Sequence, residues 1–208
     1  MKTIVNISTN NGTRKIMYGQ IKSFELGKSK TGKRQYRLVL DVEGKEETLY
    51  LTNRDENKGL ASRFEGMKAR VGSFVLVDAH YSEGYTCGNV DGIAYDRSMI
   101  RYSDGERDKY VFVSYVTRPH NFGNGNFGIS LPVISYNREA GERERRFYGI
   151  SFIGEEAAKN ARASLENANL CAVVADSLRE ETSPDGHTYR NLIGRQVYKL
   201  TEKNPENA

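Results

Sequence analysis

The chain has 208 residues, of which 28% are charged and 38% hydrophobic, with a formal net charge of +4; this balance fits a folded globular chain and excludes a disordered polyelectrolyte. No apolar run approaches the roughly 18 residues of a membrane span, and Met1-Lys-Thr-Ile-Val-Asn-Ile-Ser8 is too short and polar for a signal peptide, so a cytosolic protein without membrane contact is expected. The length exceeds one small barrel and suits two domains of about 100 residues each.

Met17 to Phe24 alternates into a first strand, and Gly27 to Arg34 is a lysine-rich turn. Gln35 to Val42 reads as a second strand with Tyr36, Leu38, Leu40 and Val42 on one side. Glu46 to Asn53 reads as a third, with Leu49 and Leu51 inward and Thr48, Tyr50 and Thr52 outward. Leu60, Phe64, Met67 and Val71 recur at helical spacing, and Gly72 is the expected stop. Phe74 to His80 and Val90 to Tyr95 complete the set. Cys87 and Cys171 lie in no metal-ligand spacing and read as reduced thiols packed as small hydrophobes. The sequons at Asn6 and Asn11 are chance matches without export.

The second half repeats this plan. Val111 to Thr117 and Ile129 to Ser135 are strands separated by a glycine-rich turn through Gly123, Asn124, Gly125 and Asn126. Arg145 to Gly154 is a third strand with Tyr148, Ile150 and Phe152 on one face and Phe147, Gly149, Ser151 and Ile153 on the other. A helix runs from Glu155 to about Ala168, its narrow apolar stripe (Ala157, Ala158, Ala161, Leu165, Ala168) suited to plugging a small barrel. Leu170 to Leu178, a turn through Ser183, Pro184, Asp185 and Gly186, and Tyr189 to Leu200 follow. Three strands, a helix and a hairpin are the order of an OB-fold, a five-stranded Greek-key barrel. The expected fold is all-β with one short helix per repeat: two tandem OB-fold barrels, residues 1–103 and 104–208, joined near Ser103, Asp104 and Gly105.

Arg146-Phe-Tyr-Gly-Ile-Ser-Phe-Ile-Gly, a helix opening on Glu and Ala residues, Leu170-Cys-Ala-Val-Val-Ala-Asp-Ser-Leu-Arg179 and Asp-Gly-His-Thr-Tyr-Arg190 together resemble the bacterial single-stranded-DNA-binding protein family, over about half the chain. The resemblance places Phe147 at the family's stacking tryptophan. The family assembles four barrels from four chains, which implies that a homodimer of this chain would supply four. The chain departs from the family in its two barrels, its lack of tryptophan and its end, Thr201-Glu-Lys-Asn-Pro-Glu-Asn-Ala208. That end is not the family's long acidic, aromatic-tipped tail, so recruitment of partner enzymes through such a tail is not expected.

Gly27-Lys-Ser-Lys-Thr-Gly-Lys33 matches a phosphate-binding loop except at its last position, where Arg34 replaces the metal-binding hydroxyl. Such a loop must run into a helix N-terminus, and this one runs into a strand, so it reads as a basic hairpin tip. The tip is either a solvated turn or, as the loop between the first two strands of an OB-fold, a grip for backbone phosphates through Lys28, Lys30, Lys33 and Arg34. The equivalent loop, Arg118 to Phe127, exchanges lysine for Phe122, Phe127 and glycines and reads as a flexible ribbon carrying stacking platforms.

Single strands are held by cations along a groove and aromatic faces for the bases. The candidate rings are Tyr50, Tyr81 and Tyr85 in the first half and Phe122, Phe127, Phe147 and Tyr189 in the second, with Phe147 and Tyr50 favoured by strand parity. Arg143, Arg145 and Arg146, interrupted by Glu142 and Glu144, form a local basic stripe, and Arg190 follows Tyr189. Residues 1–104 hold 17 Lys and Arg against 13 Asp and Glu, whereas residues 105–208 hold 14 against 14, so the first half is the basic one. His80, His120 and His187 are scattered, and no cluster has metal-ligand spacing. The sequence therefore points to a non-enzymatic protein without cofactor that binds single-stranded DNA with tolerance of sequence, in phage or mobile-element replication or recombination. RNA is the variant ligand, and an OB-scaffold protein-interaction module, an inhibitor or assembly factor, is the alternative.

Overall fold

The structure, a computed structural model, describes residues 1–56, 58–137 and 141–202. The chain divides into two compact units, Met1–Asp96 and Arg97–Ala208. Of the tail beginning at Thr201, residues 203–208 lie outside the described part.

In the first unit β1 (Lys2–Thr9) forms a hairpin with β2 (Gly12–Lys28), and β3 (Arg34–Val42), β4 (Lys45–Thr52), α1 (Leu60–Met67), β5 (Phe74–Ser82) and β6 (Gly88–Ala94) follow. Closure comes from the length of β2. Its first half, Gly12 to Gln20, pairs antiparallel with Ser82 to Phe74 of β5, and its second half, Gln20 to Lys28, pairs with Asp41 to Arg34 of β3. β4 lies parallel to β6 through Leu49↔Gly88 and Tyr50↔Asn89, so β2, β3, β4, β6 and β5 return to β2 as a closed five-stranded barrel. Alternation fills its inside with Met17, Ile21, Leu38, Leu40, Leu49, Leu51, Val75 and Val77. Phe64 of α1 packs edge-on against Phe24 and Tyr36 at one end. The helix stops four residues before the expected Gly72. Lys68 takes the left-handed conformation at φ 53 and donates its N–H to Glu65 O, while Gly72 instead forms a later turn, its N–H bonded to Ile21 O.

The hairpin strand β1 was not expected from the sequence. Its Ile4 and Val5 are buried. Gly12, at φ +138, opens β2 where an added Cβ would stand 1.9 Å from Tyr81 O, a position only glycine tolerates.

The second unit repeats the order with one break. β7 (Ser98–Ser103), β8 (Asp108–Tyr115), β9 (Thr117–Asn121), β10 (Phe127–Asn137), β11 (Glu142–Phe152), α2 (Glu155–Leu165), β12 (Ala168–Thr182) and β13 (Thr188–Glu202) make a sheet ordered β7-β8-β12-β13-β11-β10-β9. β8 and β9 are halves of one first strand, separated at Val116, with Arg118 in the left-handed conformation at φ 50. β11 runs parallel to β13, as β4 does to β6. Phe112, Leu131, Ile150, Phe152 and Val173 fill the inside with Ala158 and Ala161 of α2. The helix ends at Leu165 rather than near Ala168, where β12 already begins. The residues expected to join the domains, Ser103 to Gly105, form the turn of the β7–β8 hairpin. There Asp104 accepts the N–H groups of Glu106 and Arg107 and pairs with Lys109, so the division falls at Asp96/Arg97. Both units have the OB-fold plan.

Each unit buries one aspartate at the same point of its fourth strand: Asp78 after Val75-Leu-Val and Asp176 after Val173-Val-Ala. Arg14 holds Asp78 with two bonds, Nε at 2.9 Å and Nη2 at 2.6 Å. Arg195 holds Asp176 the same way at 2.8 and 3.0 Å, with Ser177 Oγ donating at 2.9 Å. A buried carboxylate persists only when paired in this manner.

Candidate nucleic-acid interface

In the first unit the β2–β3 hairpin projects past the barrel end. Ser29 N–H bonds to Lys33 O, Gly32 N–H to Ser29 O and Lys33 N–H to Ser29 Oγ, so the turn is ordered by its own hydrogen bonds. Lys28, Lys30 and Lys33 are exposed. Lys28 and Lys33, with Arg34, Glu56 and the exposed Leu26, line a recess of ≈ 510 Å³. Arg34 differs from the lysines: its Nη2 lies 2.7 Å from Glu65 Oε1 of α1. That pair neutralises one of the four expected phosphate contacts and ties the hairpin to the helix.

Tyr50 stands on the outer face between Arg37 of β3 and Asn89 of β6, half-buried, and Tyr85 is 73% exposed. Tyr81 departs from the expectation of an outward ring. It is 7% exposed, shares strand parity with Val77 and Ala79, and donates its hydroxyl to Glu47 at 2.7 Å beneath the Lys15 ammonium. Burial, reinforced by the Glu47 carboxylate, pushes its phenol far up, so it stays neutral and offers no free face.

In the second unit the outer face of β9, β10 and β11 gathers half of the remaining candidates. Phe147 is 42% exposed, paired with Pro132 of β10. The guanidinium of Arg145 lies 4.9 Å from its ring centre, and that of Arg118 reaches across from β9 to 5.9 Å. Phe122 folds back over Gly128 of β10, where an added Cβ would meet its ring at 2.8 Å, and His120 meets Phe122 edge-on at 4.7 Å. Arg143 shares the outward parity of Arg145 and Phe147 and is exposed. Tyr189 of β13 is 56% exposed.

Arg146 leaves the expected stripe, and Arg190, expected beside Tyr189, is also paired. Arg146 Nη2 lies 2.7 Å from Glu144 Oε2. This hydrogen bond keeps the Glu144 carboxyl below its ordinary range and the Arg146 guanidinium above its own, so the pair stays ionised. Arg190 bonds Glu180 at 2.8 Å and sits 5.9 Å from the buried Tyr148 ring. Phe127 is also turned inward, 5% exposed and stacked on Phe152, because it continues the inward parity of Ile129 and Leu131.

The loop from Asn121 to Asn126 is not the free ribbon expected. Arg162 of α2 donates to Asn121 Oδ1 at 2.8 Å, Gly125 O at 3.2 Å and Asn126 O at 3.4 Å, and Gly154 N–H bonds Asn126 Oδ1 at 2.8 Å. Arg162 was not among the sequence candidates; no local pattern links a helix arginine to a turn so far upstream. The two units thus share a device, an arginine tying the barrel's own first hairpin (β2–β3, β9–β10) to the helix. Burial pushes the Cys171 thiol up to about 12, as suits a packed, unreactive cysteine. No group of three or more His, Cys, Asp or Glu among the described residues is arranged to hold a metal ion, and no described helix is long and apolar enough to cross a membrane.

The geometry defines a class: two OB barrels in tandem, each with a tethered first hairpin, the first carrying lysines at its tip and the second a ring flanked by guanidiniums on its outer face. No protein-family model and no curated protein matches the chain. Among solved structures it is similar to the mitochondrial single-stranded DNA binding protein Rim1 of S. cerevisiae, at 18% identity and a TM-score of 0.31, over 47% of this chain and 99% of that one. It is also similar to the wild-type single-stranded DNA binding protein of Thermus aquaticus, at 11% identity and a TM-score of 0.30, over 98% of this chain and 96% of that one.

Proposed function

We propose that this chain binds single-stranded DNA with broad tolerance of sequence, without catalysis, the first unit gripping phosphates and the second stacking bases. The observation that carries this is Phe147, an aromatic ring outside a barrel with a guanidinium at 4.9 Å and another at 5.9 Å. An apolar ring spent on the surface beside two cations matches a nucleobase next to its phosphates. The proposed setting is the cytosol, in phage or mobile-element replication or recombination, with a homodimer bringing four barrels to one strand. RNA fits the same face.

The test is fluorescence anisotropy of labelled single-stranded and double-stranded oligonucleotides across a salt series. Single-strand binding that weakens steeply with salt supports the proposal. Absence of binding at low salt overturns it and favours a protein partner for the same faces. Exchanging Lys28, Lys30 and Lys33 together for alanine is expected to flatten the slope of log K against log salt by about 2, since each phosphate contact to a single strand contributes about 0.7. Lys30→Ala alone shifts it by about 0.7. A slope unchanged in the triple variant removes the hairpin tip from the interface.

A further inference from the structure

We propose that Asn191 reads the edge of one base stacked on Phe147 beside Gly149, and that this gives the second unit a preference for adenine over cytosine. The inference rests on the single-strand reading and adds a specificity residue to it. β11 and β13 pair Gly149 directly with Asn191, and Phe147 lies two residues upstream on the same outward face. Two residues along a strand and one strand spacing across put Phe147 and Asn191 about 8 Å apart. Tyr189, two residues before Asn191, shares the outward parity and is exposed. On the other side of Gly149 stands Ser130 of β10, a small residue. The missing side chain at 149 makes room on this face for the Asn191 carboxamide, which lies over Gly149 on the side of the strand pair that carries Phe147: a Cβ at 149 would stand 2.6 Å from Asn191 Oδ1.

That carboxamide is exposed and makes no hydrogen bond with any described residue. An amide offers one donor and one acceptor side by side. Adenine answers this pair with N6 and N7, and again with N6 and N1 when its other edge is turned in, so either orientation of a stacked adenine satisfies it. Cytosine offers such a pair on one edge only. A purine also covers more of the Phe147 ring than a pyrimidine does.

The test compares dA12 with dC12 by fluorescence anisotropy for the parent, Asn191→Ala and Gly149→Ala. The ratio of the two affinities is compared between proteins, so the self-stacking of dA12 cancels. Asn191→Ala removes the amide, and Gly149→Ala displaces it while leaving Asn191 in place. Both variants are expected to lower the dA12/dC12 ratio about fivefold to tenfold, the effect of one base-edge contact of modest strength, with dC12 binding changed less than twofold. An unchanged ratio overturns the inference, as does an equal loss on both oligonucleotides, which would mark a contact blind to the base. Failure of the parent to bind either oligonucleotide overturns the single-strand reading itself.

Discussion

Replacing Phe147 by alanine is expected to weaken single-strand binding about fivefold to 150-fold, the range of one stacked base at about 1 to 3 kcal/mol. The loss should persist at all salt concentrations, because the ring contributes dispersion and burial rather than counterion release. The guanidiniums of Arg145 and Arg118 sharpen the expectation. With the ring gone they lose the surface on which they rest, and two long side chains regain freedom that a bound strand must again restrict. Folding should be spared, since Phe147 is 42% exposed and outside the core. The check is anisotropy at two salt concentrations with a thermal melt beside it. Unchanged affinity with an unchanged melt would sink the stacking role. Phe147→Tyr, which keeps a ring, should bind within about threefold of the parent, a difference of under 1 kcal/mol.

Arg195→Ala carries a large expected effect on stability. Asp176 has 3% side-chain exposure and is held through both carboxylate oxygens by Arg195, so removing the arginine strands most of a buried charge. Breaking a buried pair from one side costs about 3 to 5 kcal/mol. Arg107 at 3.5 Å and Ser177 at 2.9 Å remain as partial replacements, which places the expectation at about 3 kcal/mol, or a fall of about 10 °C in Tm for a unit of this size. Asp176→Asn should cost less, because the arginines it releases are half exposed and can hydrate. The pH dependence follows from the sign of the shift. Burial raises the Asp176 carboxyl, but the bonds from Arg195 and Ser177 outweigh it and leave the group below its ordinary range. Its contribution is therefore fully present above the unfolded value of about 4 and is lost as pH falls through the lower native one. A melt of Arg195→Ala within 2 °C of the parent by circular dichroism, about 0.5 kcal/mol, would show that the pair does not hold the unit together.

Much of the architecture was legible because barrel strands alternate. Tyr148, Ile150 and Phe152 inward and Phe147 outward followed from parity alone, and Glu155 does open α2. The losses came at element ends. Ending one strand at His80 and starting another at Ile129 left Tyr81 and Phe127 as loop rings. Extending the same alternation, by one residue to Tyr81 and by two to Phe127, places both inside, where they are found. The strands β1 and β7 were missed because their partners are the first strands of the barrels, already assigned neighbours on another edge. The ion pairs of Arg34, Arg146 and Arg190 were partly visible for Arg146, whose partner Glu144 lies two residues away. Glu65 and Glu180 meet their arginines only through the fold. Asn191 carried no signal of its own; it matters through its register with Gly149.

The arginine ties from each first hairpin to its helix, Arg34 to Glu65 and Arg162 to the Asn121–Asn126 turn, move an entropic charge from one event to another. Fixing a backbone costs about 1 to 2 kcal/mol per residue, and here that loss is taken while the protein folds rather than when it meets a strand. On the proposed single-strand reading, the protein enters the encounter already shaped, and the nucleic acid is the partner that must be ordered. Affinity is then governed by how readily a given strand gives up its own stacked order, so discrimination between strands arises from their stiffness as well as from any group that touches a base.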